Sequence, residues 1–287
     1  MQDLTGRTAF ITGGASGIGL AMAHAFGGAG MNIMLADIEE PPLRAAIAEL
    51  QARQIPVAGL TCDVSDRASV EAAAAETVRA FGKVHVVCNN AGVVVGGRVG
   101  EVKPADWDWI FSVNVMGVIY GMEAFLPLIR SHGEGGCFVN SASMAGMISP
   151  AGREPYSATK FALVALSEGW GVQLEPEGIH VAILCPGFVK TGLSRSGRTR
   201  QARYGGPAVL PPPGARTAIP AIEPERVGER VLEAVRAGER YIFTHPDMRS
   251  LVQDRFARIM RAFDDADASA ALAGLDYETP PIEGLGN

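Results

Sequence analysis

Short apolar runs alternate with longer amphipathic stretches through the first two thirds of the chain. The runs are nearly continuous in apolar residues, as in parallel strands covered on both faces; they are Thr8–Thr12, Asn32–Ala36, Val57–Cys62, Val84–Cys88, Gly136–Ser141 and His180–Cys185. Helical periodicity fills the intervals at Ile18–Ala29, Pro41–Gln54, Ser65–Phe81, Pro104–Ile129 and Tyr156–Leu174, with Ser65 as an N-cap candidate. Repeated β-α-β units predict an α/β fold with a doubly wound parallel sheet and helices on both faces.

The remainder of the chain departs from this rhythm. Residues Gly192–Ile222 are rich in glycine and proline, which predicts a long loop or a lid. A helix at Pro224–Ala237, a strand at Tyr241–Thr244 and a helix at Asp247–Ala262 follow, and residues 264–287 read as a loosely packed C-terminal tail. We therefore expect one domain over residues 1–263, with the lid candidate at 192–222.

Charge is unevenly distributed along the chain. The net charge is -6, which argues against a nucleic-acid partner. Residues 190–222 hold no acidic residue but six basic ones: Lys190, Arg195, Arg198, Arg200, Arg203 and Arg216. This segment is either a solvated mobile loop or a lid over substrate and cofactor, whose arginines meet a carboxylate or another electron-rich group.

Composition limits the other function classes. A hydrophobic share of 47% fills a sizeable core, so disorder is not expected for most of the chain. The amino terminus lacks a basic segment followed by an apolar one, and no apolar run spans a bilayer, so we expect a cytoplasmic protein without a membrane partner. The cysteines form no C-x-x-C pair, which predicts buried reduced thiols and no metal site; they are Cys62, Cys88, Cys137 and Cys185.

The first predicted strand leads directly into a glycine-rich turn and a helix. Such a turn lets the backbone approach a pyrophosphate, and the helix N-terminus presents free N–H groups to it; the residues concerned are Gly13, Ser16, Gly17, Ile18 and Gly19. Asp37 ends the second strand, where a carboxylate accepts hydrogen bonds from the adenosine ribose and repels a 2′-phosphate. No basic residue follows Asp37, so the sequence favours NAD over NADP.

Two further strand ends carry residues suited to a nucleotide. Asp63 and Val64 follow the third strand and are expected to contact the adenine. Asn90, Ala91 and Gly92 follow the fourth, where small residues leave room for the cofactor. Either group alone is also compatible with an ordinary turn.

Tyr156 and Lys160 are the most specific chemical signal. Residues four apart share a helix face, so the ammonium of Lys160 is expected beside the phenol of Tyr156. A nearby cation lowers the pKa of tyrosine from about 10 and makes it a usable acid or base. Chance would produce this spacing only about 0.07 times in this chain. Ser143 and Ser141 both follow the fifth strand, and local chemistry leaves open which of them bonds the substrate oxygen.

Together these motifs resemble the short-chain dehydrogenase/reductase family in its NAD-dependent, single-domain form, over residues 6–191. The resemblance implies a Rossmann-type sheet and hydride transfer between NAD and a secondary alcohol or ketone. It implies that Ser143 is the catalytic serine, with Tyr156 as acid or base. Lys160 would also hold the ribose, and Asn114 would hold a water in a proton relay through Lys160.

The resemblance also implies contacts outside the catalytic groups. The residues after the sixth strand would fix the nicotinamide carboxamide; they are Pro186, Gly187, Val189 and Thr191. A homodimer or homotetramer is expected through the helices at Pro104–Ile129 and Tyr156–Leu174. Three tryptophans are compatible with that contact, namely Trp107, Trp109 and Trp170.

Over its full length the chain resembles bacterial members that oxidise benzylic alcohols, such as lignin β-aryl-ether Cα-dehydrogenases. The features behind this resemblance are Asp106–Trp109, Gly133–Gly136 and Tyr241–Pro246. We therefore expect an aryl secondary alcohol in a mainly apolar pocket lined by Val93, Val94, Met144, Met147, Arg153, Phe188 and Leu193. The methionines and valines among them are equally compatible with the core.

Other functions remain alternatives. A hydroxysteroid or an aliphatic secondary alcohol also suits an apolar pocket. A non-catalytic cofactor-binding regulator is disfavoured because Ser143, Tyr156 and Lys160 are all present. An epimerase or dehydratase is disfavoured by the glycine spacing and the modest chain length.

Overall fold

A single seven-stranded parallel sheet organises the protein. The computed structural model describes residues 1–208 and 220–275. The strands are ordered β3-β2-β1-β4-β5-β6-β7, with bounds β1 Thr8–Thr12, β2 Asn32–Asp37, β3 Val57–Thr61, β4 Val86–Asn89, β5 Gly136–Ser141, β6 Ile179–Cys185 and β7 Tyr241–Phe243. The strand order reverses direction between β1 and β4. In such sheets this reversal opens a crevice beyond the carboxyl ends of the strands.

Helices cover both faces of the sheet, as the sequence predicts. They are α1 Gly17–Gly28, α2 Glu40–Ala52, α3 Arg67–Phe81, α4 Pro104–Phe111, α5 Gly117–His132, α6 Glu154–Leu174, α7 Pro224–Ala237 and α8 Arg249–Asp267. Successive side chains of a strand point to opposite faces. Ile11 of β1 accordingly joins the core under α1, α2 and α7, whereas Phe10 joins the core under α3 and α5 and stacks 4.3 Å from Phe125.

Two helix predictions need correction. The helix predicted at Pro104–Ile129 is interrupted by a π-helical turn at Ser112–Met116 and continues to His132. The N-cap of α3 is Asp66 rather than Ser65, because the Asp66 carboxylate accepts the Ala68 N–H at 3.2 Å. The hydroxyl of Ser65 instead donates to Asp63 at 2.6 Å.

Among the described residues, one helical rod, Pro104–His132, is long and apolar enough to cross a membrane. The sequence expectation of no spanning run does not hold for this rod. Its inward face nevertheless packs in the core, where Phe125 and Ile129 are at most 1% exposed. The apolar composition of this helical rod is therefore explained by its packing against the sheet.

All four cysteines are buried and form no disulfide, as the sequence predicts. Burial raises the pKa of the Cys137 and Cys185 thiols to about 12. Thiolate is therefore scarce at neutral pH, and neither residue is suited to act as a nucleophile.

Close packing of α7 on α1 gives a testable prediction. A Cβ at Gly228 of α7 would lie 2.4 Å from the Ala21 carbonyl oxygen of α1, which is backbone and cannot turn away. Gly228→Ala should therefore lower the free energy of unfolding by about 1–3 kcal/mol. Gly169→Ala is the matched control, because nothing lies within 4 Å of a Cβ there. The control should raise stability by roughly 0.5–1 kcal/mol. Urea unfolding measures both, and equal stability of the two variants would contradict this account.

Candidate active site

The glycine-rich turn sits where β1 meets the crevice. Gly13 and Gly17 have φ of +62° and +55°, a region that L side chains rarely adopt. A Cβ at Gly13 would lie 3.0 Å from Ala91 Cα, and one at Gly17 would lie 3.1 Å from Thr191 Cγ2. The side chain of Ser16 does not cap α1. The first N–H groups of α1 are thus free of a side-chain cap beside a narrow, glycine-lined channel, which fits a pyrophosphate.

Two hydrogen-bond networks tie this turn to its neighbours. The Thr12 hydroxyl accepts the N–H groups of Asn90 and Ala91, at 2.9 and 3.0 Å. The Asn90 amide donates to the Thr12 carbonyl at 3.0 Å. Gly19 lies inside α1, where a Cβ would be 2.1 Å from the Gly13 carbonyl oxygen. Gly19 therefore packs the helix against the turn and does not line the crevice.

Asp37 stands at the far end of the crevice, at the end of β2. Its carboxylate accepts the N–H groups of Ala15 and Glu39, each at 3.0 Å. Burial raises the pKa of Asp37, and these two hydrogen bonds oppose the rise. The residue is held in place beside the helix N-terminus, as a ribose-binding carboxylate requires.

The crevice brings most of the predicted cofactor residues together. Those that line it are Gly13, Ser16, Gly17, Ile18, Asp37, Asp63, Val64, Asn90, Ala91, Gly92, Tyr156, Lys160, Pro186, Gly187, Val189 and Thr191. Only Gly19 of the predicted set lies outside the lining. The shape and the donor set fit a dinucleotide such as NAD.

Tyr156 and Lys160 meet at the inner end of the crevice, on α6. The Lys160 ammonium is buried and donates to the Ser141 carbonyl at 2.6 Å. It lies 5.5 Å from the centroid of the Tyr156 ring. Burial lowers the pKa of Lys160 to about 8.

The electrostatics of Tyr156 differ from the expectation. Burial raises the pKa of Tyr156 to about 12, while a hydrogen bond with Ser143 and the charge of Arg153 lower it. The sequence assigned that lowering to Lys160. In the structure the Lys160 ammonium is instead directed at the Ser141 carbonyl. The groups that favour phenolate are therefore Ser143 and Arg153.

Geometry separates the two candidate serines. The Ser141 hydroxyl donates to the Asn90 side chain at 3.2 Å. The Ser143 hydroxyl accepts the Ala145 N–H at 3.1 Å and donates to the Pro186 carbonyl at 3.3 Å, and Ser143 lies near enough to Tyr156 to lower the pKa of that phenol. Ser143 is thus the serine placed to share a substrate oxygen with Tyr156.

Asn114 lies in the π-helical turn and is fully buried. Its side chain bonds both backbone groups of Val93, at 2.8 and 3.0 Å, and the Thr159 hydroxyl at 3.0 Å. A Cβ at Gly92 would lie 3.5 Å from the Asn114 amide oxygen and 3.6 Å from Lys160 Nζ. Asn114 therefore lies beside Gly92, near Lys160; both amide hydrogens of its side chain are used by protein partners, whereas its amide oxygen accepts a single bond, from the Val93 N–H.

Two of the seven predicted substrate residues line the crevice, and the other five do not. Val93 and Leu193 line the crevice. The other predicted residues do not: Val94, Met144, Met147, Arg153 and Phe188. Met144 is 4% exposed, and Met147 packs against a small core cluster. Phe188 is 41% exposed, between two residues of the crevice wall.

The described part of the lid candidate, residues 192–208, packs over the adenine end of the crevice. We call this segment the strap. Its Ser196 hydroxyl accepts the Val94 N–H at 3.1 Å, and Ser196 is buried. Gln201 donates to Asp63 at 2.8 Å, and Arg203 donates to the same carboxylate at 2.8 Å. Asp63 is therefore already bonded by the strap at the position where the sequence placed an adenine contact.

Two other arginines of the strap also bond acidic residues of the crevice rim. Arg198 makes a bidentate pair with Glu39, at 3.0 and 2.5 Å. Arg200 bonds Asp106 at 2.5 Å and lies 5.4 Å from the Trp109 ring. These arginines meet carboxylates of the protein itself. The glycine, proline and positive charge of this segment predicted a loop or a lid, and Leu193 was a predicted pocket residue. Sequence reasoning missed the other strap residues that line the crevice, namely Gly192, Ser196, Arg198, Thr199 and Gln201.

One group of potential metal ligands lies at the amino-terminal edge of the sheet. His85, His132 and Glu134 place three ligand atoms within 4.8 Å of one another. Each imidazole already has two partners: His85 bonds the Thr8 N–H and Glu134, and His132 bonds the Val84 carbonyl and the Glu134 N–H. This trio is a hydrogen-bonded structural cluster, remote from the crevice.

Known proteins place this geometry in a family. A sequence model described as short chain dehydrogenase matches residues 7–202. A C alpha-dehydrogenase of Sphingobium sp. is 34% identical over 91% of this chain and 87% of its own length. A CLA biosynthesis dehydrogenase/reductase of Lactiplantibacillus plantarum is 31% identical over 91% of this chain and 95% of its own length.

A solved structure agrees with the sequence relatives. A short chain dehydrogenase/reductase of Burkholderia phymatum, crystallised in complex with NAD, has a TM-score of 0.86 and 35% identity. The match covers 91% of this chain and 97% of that chain. Together with the glycine channel and the Tyr156–Lys160 pair, these findings show that the chain belongs to the short-chain dehydrogenase family and is an NAD-dependent oxidoreductase.

Proposed function

We propose that the protein oxidises a bulky aryl secondary alcohol to the ketone, and reduces the ketone in the reverse direction. The observation that carries the reaction is that Ser143, Tyr156 and Lys160 line the same crevice, where Ser143 lowers the pKa of the Tyr156 phenol. In oxidation Tyr156 takes the hydroxyl proton while Ser143 bonds the same oxygen. NAD, when bound, supplies the acceptor for the hydride of the carbinol carbon. Lys160 holds the ribose, and Asn114 belongs to the proton relay behind Lys160.

Apolar surroundings and a relative support the aryl substrate. Val93 and Leu193 line the crevice, and Phe188, which is 41% exposed, lies in the chain between the wall residues Gly187 and Val189. Burial of an aryl ring against such side chains contributes about 25 cal/mol per Å². The relative that matches 91% of this chain is named a C alpha-dehydrogenase, which agrees with the resemblance to Cα-dehydrogenases that the full-length sequence carries.

The segment 192–222 is proposed to be a lid, of which the strap is the described part. The strap is tied to the crevice rim through Glu39, Asp63 and Asp106. The pairs of Glu39 and Asp63 are partly exposed on the arginine side, and exposed pairs contribute about 0–1 kcal/mol each. Bonds of this strength permit opening on a catalytic timescale. Residues 209–219 of the lid lie outside the described part of the chain.

We further propose a cytoplasmic homodimer or homotetramer that uses the outer faces of α4, α5 and α6. Trp107 and Phe111 on α4 are 36% and 37% exposed and support such a contact. Trp109, which the sequence grouped with them, is 1% exposed and packs in the core. Trp109 is therefore removed from the expected interface.

A substrate panel tests the activity. We expect kcat/KM to be higher for 1-phenylethanol-type and β-aryl-ether alcohols than for a hydroxysteroid or 2-butanol, with NADH absorbance as the readout. A steroid or butanol value at or above that of the best aryl substrate would contradict the aryl assignment alone.

Tyr156→Phe should bind NADH normally but lose about 10²–10⁴-fold in kcat, because the proton-transfer group is gone. Near-normal turnover would exclude Tyr156 as the acid or base.

The second prediction concerns cofactor choice. Asp37→Ser combined with Ile38→Arg should weaken or reverse the preference for NAD, because the repelling carboxylate is replaced by a cation. The ratio of kcat/KM for NAD and NADP measures the change. Glu40→Ser is the control, since Glu40 is exposed and pairs with Arg44 outside the crevice. A parent enzyme that used both cofactors equally would refute this role of Asp37.

The third prediction concerns pH. A phenol with its pKa raised to about 12 is protonated at neutral pH, so oxidation should accelerate as pH rises and reduction should slow. Arg153→Gln removes a charge that lowers the pKa of Tyr156, so its oxidation profile should move to higher pH. Arg98→Gln, an exposed neighbour on the preceding loop, is the control. Superimposable profiles for Arg153→Gln and the parent would disprove the role of Arg153.

The fourth prediction concerns the lid. Limited proteolysis within 192–222 should slow when NADH and substrate are both bound. With both ligands bound, Arg203→Ala should be cleaved faster than the parent, because the variant lacks a bond between the strap and Asp63. Arg226→Ala changes an exposed residue of α7 and is the control for the general effects of losing an arginine. Equal cleavage rates with and without ligands would count against a lid.

A further inference from the structure

Helix α8 presents an apolar stripe that no described residue covers. Phe256, Ile259, Met260 and Phe263 are 52%, 37%, 57% and 66% exposed. At 100° per residue these four side chains fall within a sector of about 100°, the width of a packed helix face. None of the 19 residues of α8 is buried. Scattered exposed apolar residues are ordinary, but a continuous stripe of this kind marks an interaction surface.

The charges of α8 run against the helix dipole. Arg249 opens the helix, and Asp264, Asp265 and Asp267 lie in its last turn. The first turn holds no acidic residue and the last turn holds no basic one. A helix favours acids near its N-terminus and bases near its C-terminus, by about 0.3–1 kcal/mol each. The isolated helix is thus electrostatically mismatched at both ends.

An antiparallel copy of the same helix corrects both mismatches. Arg249 and Asp267 are 18 residues apart, which is five turns at 3.6 residues per turn, so they lie on the same side of α8, within the sector of the stripe. A two-fold axis near Arg258 brings Arg249 of one copy beside Asp267 of the other, and does so twice. The same axis sets Phe256 of one copy against Met260 of the other and places Ile259 beside the axis. One axis therefore brings together both the charged pair and the middle of the apolar stripe.

We propose that α8 is a self-association surface through which two copies of this chain pair their α8 helices antiparallel. The start of α8 is fixed to the body of the protein, where the Arg255 guanidinium lies 5.0 Å from the Phe161 ring of α6. Beyond Arg255 every residue of the helix is exposed, so its last turns are accessible to a partner. The contact is isologous, as two-fold dimers require. It is separate from the surface proposed for α4–α6, and a homotetramer needs two such interfaces.

Sedimentation velocity on the full chain over a dilution series tests the pairing. Phe263→Ser should raise the dissociation constant of the α8 contact by about 30-fold or more, the effect of losing a central apolar anchor. Phe263 qualifies as an anchor because it is the most exposed residue of the stripe, at 66%. Asp267→Arg and Arg249→Asp should each weaken the contact by about tenfold, and the double reversal should restore it. Asp265→Arg is the matched control, because Asp265 faces away from the stripe and should leave association unchanged.

Each variant should bind NADH as the parent does, which shows that the fold is intact. Hydrogen exchange of the last turns of α8 should slow in the associated parent and not in Phe263→Ser. A strictly monomeric parent, an unchanged association of Phe263→Ser, or failure of the double charge reversal to restore pairing would each overturn the proposal. These outcomes do not depend on the substrate, so they leave the aryl-alcohol proposal untouched.

Discussion

The buried ammonium of Lys160 constrains the whole catalytic end of the crevice. A cation without solvent is costly, and here burial lowers its pKa to about 8. The Ser141 carbonyl accepts a hydrogen bond from it at 2.6 Å, which ties the end of β5 to α6. With β5 and α6 tied together, Ser143 and Tyr156 both line the crevice. The pair proposed to do the chemistry is thus positioned by a neighbouring charge whose hydrogen-bond partner is backbone.

The sequence predicted the elements that depend on local pattern. The glycine turn, the strand-end carboxylate Asp37 and the Tyr156–Lys160 spacing all follow from short-range periodicity, and the structure places each of them at the crevice. The direction of the Lys160 ammonium could not be predicted, because it depends on a carbonyl 19 residues away. The interruption at Asn114 was also missed, since it is a single π-helical turn inside an otherwise continuous apolar helix.

Long-range contacts account for the other differences. The sequence identified an excess of positive charge in the lid candidate but could not place its partners. The bond between Arg198 and Glu39 spans 159 residues, and that between Arg203 and Asp63 spans 140. Apolar residues near the catalytic groups were equally compatible with core and pocket. Met144 and Met147 proved to be packed inside, because β5 and α6 close over them.

Cofactor selectivity depends on one of these distant contacts. The sequence has no basic residue directly after Asp37, but the strap brings the guanidinium of Arg198 to the same end of the crevice. A free guanidinium there would attract a 2′-phosphate and offset the repulsion from Asp37. The bidentate bond with Glu39 occupies that guanidinium and neutralises it. We therefore infer that discrimination against NADP rests on Asp37 and Glu39 together, the first by repelling the phosphate and the second by holding Arg198 of the strap.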